Sequence, residues 1–146
     1  MEKFNMFINS IYQNLSTSIQ AIDDILSNTK NTKLKEEISK QSSNYLTLQK
    51  ECECIAKAEN INLKDNQWFE KARLWTSIKM TTTFDKSTRN IAEKMMIGTI
   101  MGIISCYEDL CDYEDESEEL KELSKKLCSM QEANFDSLKQ YLCIKD

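Results

Sequence analysis

The sequence predicts an all-α fold: an antiparallel four-helix bundle, with a ferritin-like arrangement as one form of it, and an extra shorter helix around residues 66–83. Three observations predict it. Apolar residues recur at alternating steps of three and four over long stretches, the signature of one helix face. Proline is absent and there are only two glycines, so the chain lacks the punctuation that hairpins and tight turns need. Both glycines, Gly98 and Gly102, fall inside one uncharged, mostly apolar run from Met95 to Cys106. A helix apolar on nearly every side wants neighbours on every side, and glycines four apart leave a bare strip where a neighbour can approach. This run is therefore expected to be the most buried helix, and Gly98→Leu to cost several kcal/mol.

The elements follow in order. Residues 4–29 carry Phe4, Ile8, Ile11, Leu15, Ser18, Ile22 and Ile25 as one seam, widened by Ile19 and Leu26. The pattern lapses at Lys30-Asn31-Thr32, where Asn31 or Thr32 can cap the next helix. Residues 33–59 repeat the rhythm with Leu34, Ile38, Gln41, Tyr45, Leu48, Cys52 and Ile55. Two such seams across a short turn predict an antiparallel pair, with Ser18 and Gln41 near one layer. Asn60 to Asn66 reads as a loop, and Asp65 as the cap of the shorter helix bearing Trp68, Phe69, Ala72, Trp75 and Ile78. Asp85 is the expected cap of a helix over 86–112. Asp115 and Glu118 have the spacing of a capping box for a last helix over 116–143, whose face is Leu120, Leu123, Leu127, Met130, Asn134, Leu138 and Tyr141.

At 146 residues the chain reads as a single helical domain, 1–146. Its formal charge is −5 and no basic cluster is interleaved with aromatics, which argues against a nucleic-acid partner. The start, Met1-Glu2-Lys3-Phe4-Asn5, lacks the features of a signal peptide. The uncharged stretch Met95–Tyr107 is 13 residues, too short to span a membrane, which takes about 20. The expected location is the cytosol, with the six cysteines reduced and serving as small buried hydrophobes.

Few constellations point to chemistry. Asp23, Glu51, Glu93 and Glu132 sit on long helices and raise a carboxylate metal site of the ferritin type. The sequence contains no histidine, which removes the usual imidazole ligands and leaves solvated acids as the plainer reading. Cys52 and Cys54 are two apart, so on a helix they point away from each other; Cys106 and Cys111 are no better placed. Without histidine no Ser-His-Asp or Cys-His arrangement exists, and no phosphate-cradling glycine loop is present. The sequence thus offers no catalytic residue, metal site or cofactor motif. Eight acids fall within Glu108–Glu119 without a base. A solvated acidic turn accounts for them, although Glu108, Asp109 and Asp112 lie at a helix C-terminus, where the dipole disfavours them. Ser18, Gln41, Thr99 and Asn134 interrupt apolar stripes: they either line a small pocket or fix helix register.

Phe84-Asp85-Lys86-Ser87, then Ile91-Ala92-Glu93, Gly98-Thr99 and Met101-Gly102-Ile103, resemble a family of small helical proteins from clostridia and related Firmicutes. The richness in Lys, Asn and Ile, with two arginines against seventeen lysines, suits that source. The resemblance is strongest over 83–104 and weaker around Gln41–Tyr45 and Glu132–Leu142. It implies a helical bundle, ferritin-like in one form, and supplies no activity; relatives often have polar residues where this chain has Ile97 and Ile100.

The leading expectation is a non-enzymatic protein that works by association, as a homo-oligomer or with another protein. Trp68, Phe69 and Trp75 are contact candidates if exposed, with core packing as their plainer role. The alternative is a bundle that binds a metal ion or small ligand inside, for which Gln41, Glu93, Thr99, Asn134 and Glu132 are the residues to test. Glu93 discriminates between them: converging buried carboxylates favour the carrier, and a Glu93 paired with lysine at the surface favours the plainer reading.

Overall fold

The computed structural model describes residues 2–64 and 85–146, and every regular element among them is helical. The shorter helix expected at 66–83, with Trp68, Phe69 and Trp75, lies outside the described residues. The described residues form four helices, α1 (Glu2–Leu26), α2 (Thr32–Ala58), α3 (Thr88–Asp112) and α4 (Glu118–Leu138), followed by a 3-10 turn at Lys139–Cys143.

Local chemistry sets the ends. Asn31 caps α2 by accepting the Leu34 backbone N–H at 3.0 Å. α2 stops where Asn60 takes a left-handed conformation (φ 56°). There Ile61 N–H reaches Ala56 O at 2.8 Å and Asn60 N–H reaches Lys57 O at 3.2 Å, the paired bonds of a Schellman motif. Two caps differ from expectation. Ser87, not Asp85, caps α3 by accepting from Asn90 N–H, because Asp85 instead accepts the Ser87 N–H at 2.9 Å. Ser117, not Asp115, caps α4 through Leu120 N–H. The last helix is also shorter than 116–143, tightening to 3-10 after Leu138. Ser117→Ala is expected to cost about 1 kcal/mol in chemical denaturation.

The core is one apolar cluster drawn from all four helices, including Phe7, Ile11, Leu15, Ile38, Leu34, Ile91, Leu120, Leu123 and Leu127. α1 packs mainly on α2, and α3 on α4, with α1 also against α3 and α2 against α4. Polar ties join early residues of one helix to late residues of its neighbour. Cys52 Sγ reaches Ile8 O and Gln49 donates to Ser16 between α2 and α1. Ser10 meets Asp109 between α1 and α3, and Lys126 pairs with Glu51 at 2.9 Å between α4 and α2. The segment leaving α2 returns to the start of α1, where Gln13 Nε2 donates to Lys64 O and Lys64 N–H donates to Asn9.

The C-terminal turn stitches the opposite end. Tyr141 donates to Lys33 O at 3.2 Å, Arg89 Nε donates to Leu142 O at 2.7 Å, and Asp146 accepts from both the backbone N–H and the hydroxyl of Thr88. A carboxylate at the first turn of α3 is where the helix dipole favours one.

The expectation that the Met95–Cys106 helix is the most buried is overturned. Only one side of α3 is covered: Ile91, Ala92, Met95, Thr99, Gly102 and Cys106 are buried. Its other side exposes Ile97 (50 %), Ile100 (41 %), Ile104 (53 %) and Tyr107 (53 %). The residue types gave no hint of which side would be bare, because apolar side chains occupy both. The close approach also falls on Gly102, which is buried, while Gly98 is half-buried at the edge of a small cavity. The cysteines depart from expectation too: Cys52, Cys106 and Cys128 are buried, but Cys54, Cys111 and Cys143 are exposed, and all six are free thiols.

Candidate functional site

The most organised polar feature is a buried layer joining α1, α3 and α4. Asn14 Nδ2 donates to Gly102 O (3.0 Å) and to Cys106 Sγ (3.4 Å). The Cys106 thiol donates to Gln131 Oε1 (3.5 Å), and Gln131 Nε2 returns to Asn14 Oδ1 (2.9 Å). This closed ring passes beside Gly102 because a glycine leaves its carbonyl and flank open to two amides. Burial holds the Cys106 thiol well above its ordinary range, so it stays protonated and can serve as the donor the ring needs.

Next to the ring, Tyr45 is buried with its hydroxyl beside Gln131, Asn134 and Ser18; burial raises its pKa, so the phenol remains neutral. Ser18 donates to Asn14 O and Thr99 to Met95 O, local bonds to the preceding turn. Gln41 donates to Glu37 along its own helix. Asn134 Nδ2 is buried without a hydrogen-bond partner.

Between α1, α2 and α3 this layer borders a cavity of about 30 Å³, walled by Ser18, Ile22, Gln41, Tyr45, Met95 and Thr99 among others. One water needs roughly 10–15 Å³ on this measure, whereas ligand pockets run to roughly 300–1,000 Å³. The volume decides the matter: the cavity has room for water and not for an organic ligand.

The five sequence candidates therefore separate. Gln41 and Thr99 border the cavity and Asn134 lies beside Tyr45, so three of them share the polar layer. Glu93 and Glu132 do not join it; both are exposed. Glu132 Oε1 accepts from the Tyr107 hydroxyl and from Cys128 Sγ, each at 3.2 Å, on the outer edge between α3 and α4. Burial and the Glu132 carboxylate push the Cys128 thiol up to about 11, which leaves it protonated and a poor nucleophile. Asp23 is exposed, and Glu51 is engaged by Lys126. Among the described residues no three His, Cys, Asp or Glu side chains gather as metal ligands would.

Sequence reasoning missed Asn14 and Gln131, the two amides that build the ring. Each lies one position off the seam, beside Leu15 and Met130. The available signal was in α4, where Leu120, Ser124, Leu127, Gln131 and Asn134 keep helical spacing and widen the buried stripe.

A second polar contact closes the α1/α3 interface near its other end. Asp109 is only 7 % exposed, and its two carboxyl oxygens lie 2.8 and 2.7 Å from the Ser10 hydroxyl. Burial, with Asp112 and Glu108 adding to it against the Ser10 bond, pushes this carboxyl up to about 7. Alongside, Phe7 and Tyr113 stack with ring centroids 4.8 Å apart.

Among the described residues the protein is all-helical, with a water-sized cavity beside its polar layer and a bare apolar strip on one helix. Set against known proteins, the chain matches no family model, no curated protein and no solved structure.

Proposed function

We propose that this is a non-enzymatic protein of the cytosol that works by association through the outer side of α3. The observation that carries this reading is the exposure of Ile97, Ile100, Ile104 and Tyr107. Their steps of three, four and three make the narrow seam that a facing helix fills. Scattered apolar residues on a surface mean little, but an aligned strip of them marks a contact surface. The described helices fit an antiparallel bundle in which α1 neighbours α2 and α3 while α4 closes the ring. In that order α2 and α3 run parallel, as in ferritin-like folds with one long crossover. That order supports a ferritin-like topology, but nothing among the described candidates supports cargo: Glu93 and Glu132 are exposed, and the cavity bordered by Gln41 and Thr99 has room only for water. The absence of any helix long and apolar enough to cross a membrane, among the described residues, agrees with an aqueous setting.

Ile100→Lys tests the reading. At an association surface the charge abolishes assembly while leaving the unfolding free energy of the separated chain within about 0.5 kcal/mol of wild type. If instead the variant unfolds with a loss of several kcal/mol, the strip is covered by the chain's own residues and the reading falls.

A further inference from the structure

Resting on the association reading, we propose that the α3 strip pairs with the α3 strip of a second copy, in antiparallel orientation, about a twofold axis level with residue 102. The charge distribution on α3 selects this occupant. Lys86, Arg89 and Lys94 outnumber Asp85 and Glu93 around the start of α3, and Glu108, Asp112 and the acidic turn through Glu116 stand at its end without a base. Lys94 and Glu108 are fourteen residues apart in sequence, about four helical turns, so they lie on the same flank of the seam. Neither makes an ion pair among the described residues.

An antiparallel pairing satisfies both at once. With the axis at residue 102, Ile100 meets Ile104 of the second copy and Ile97 meets its Tyr107. In the same register Lys94 comes within two residues of the level of Glu108 of the second copy, about 3 Å along the axis and on the same flank, and the twofold repeats that pair. The basic start of each α3 then faces the acidic end of the other, with the helix dipoles opposed. A parallel pairing would leave Lys94 about 21 Å along the axis from the Glu108 level and bring the acidic ends together, which disfavours it. Tyr107 is already oriented for the contact, since its hydroxyl is held by Glu132 of α4.

The test uses the whole chain. Sedimentation velocity over a concentration series is expected to show a reversible monomer–dimer equilibrium. Lys94→Glu and Glu108→Lys, each alone, turn both cross-copy pairs repulsive and are expected to raise the dimer dissociation constant about tenfold. Combined, the two changes restore opposite charges, and the dissociation constant returns to within about threefold of wild type. Direction is read separately with Glu93→Cys, which this register places opposite the native Cys111 of the second copy. Within one chain positions 93 and 111 are about 27 Å apart along α3, beyond disulfide reach, so a 93–111 disulfide joins two copies. Mild oxidation is expected to give that link as the main covalent dimer. A monomer at every concentration, single swaps without effect, or 93–93 and 111–111 links in its place would each overturn the antiparallel pairing. The association reading itself is judged apart from these, by the stability of Ile100→Lys: a monomeric wild type with a fully stable variant removes the second copy and leaves a different protein as the occupant.

Discussion

Gly102→Ala is expected to destabilise the fold by about 3 kcal/mol, opposite in sign to the usual gain of about 1 kcal/mol for alanine over glycine inside a helix. A Cβ built on Gly102 would fall on the Gln131 amide nitrogen and within 2.9 Å of Asn14 Oδ1. Gln131 is fully buried, so its side chain has no solvent to retreat into. Moving it opens the ring through Asn14 and Cys106 and leaves buried amides unpaired, which costs more than the steric contact alone. Chemical denaturation measures the effect. A double-mutant cycle with Gln131→Ala separates its two parts, because removing the amide makes room for the methyl group. If Gly102→Ala proves neutral or stabilising, the close approach does not constrain the fold.

The second large effect is on pH dependence. An unfolded aspartate titrates near 3.8, whereas in the fold Asp109 is raised to about 7. Between those values the native state holds a proton that the unfolded state has released. Its contribution to stability is therefore fully present below about pH 4 and is lost as pH rises through about 7. The difference amounts to about 4 kcal/mol at most. Around Asp109 the described groups are Ser10 on α1, Glu108 and Asp112 on α3, Cys106 one turn earlier, and Tyr113 just beyond; none is cationic. The Ser10 geometry agrees with a protonated acid. One hydroxyl proton cannot serve two carboxyl oxygens at 2.7 and 2.8 Å, but a protonated carboxyl can donate to Ser10 with one oxygen and accept with the other. Asp109→Asn is expected to flatten the stability profile between pH 5 and pH 8 and to raise stability at the alkaline end. Taking the difference between variant and wild type cancels surface groups such as Glu118 and Asp146, whose pKa values are lowered and titrate below this window. An unchanged profile would mean that Asp109 is ionised and solvated throughout.

Much of the fold was legible from periodicity. Every residue assigned to the α2 seam, from Leu34 through Gln41 and Tyr45 to Ile55, is buried. The α4 seam likewise runs buried from Leu120 to Leu138, with Met130 half-buried. These helices carry enough charge to mark their outer sides. α3 was misread for the converse reason: the residues from Met95 to Cys106 carry no charge, so hydrophobicity could not separate the side facing the core from the side facing out. Caps were legible to within two residues, since Asp85 and Ser87, or Asp115 and Ser117, are comparable acceptors and only the helix geometry chooses. Of the polar layer, Gln41, Thr99 and Asn134 were visible as interruptions of apolar stripes. Asn14 and Gln131 were not, because each is one step off a seam and becomes interior only through the width of its neighbour's contact. Asp109 is unfavourably placed for the helix dipole, which the sequence alone reveals, but its burial against Ser10 depends on the pairing of α1 with α3, which no local pattern encodes.

Native mass spectrometry of the protein purified without chelator tests most directly whether it works by association and not by carrying cargo. The expected result is an apo chain mass together with a two-chain species that grows with concentration and disappears in Ile100→Lys. A single-chain species bearing a stoichiometric added mass, retained in Ile100→Lys and lost on changing Gln41 or Asn134, would contradict it.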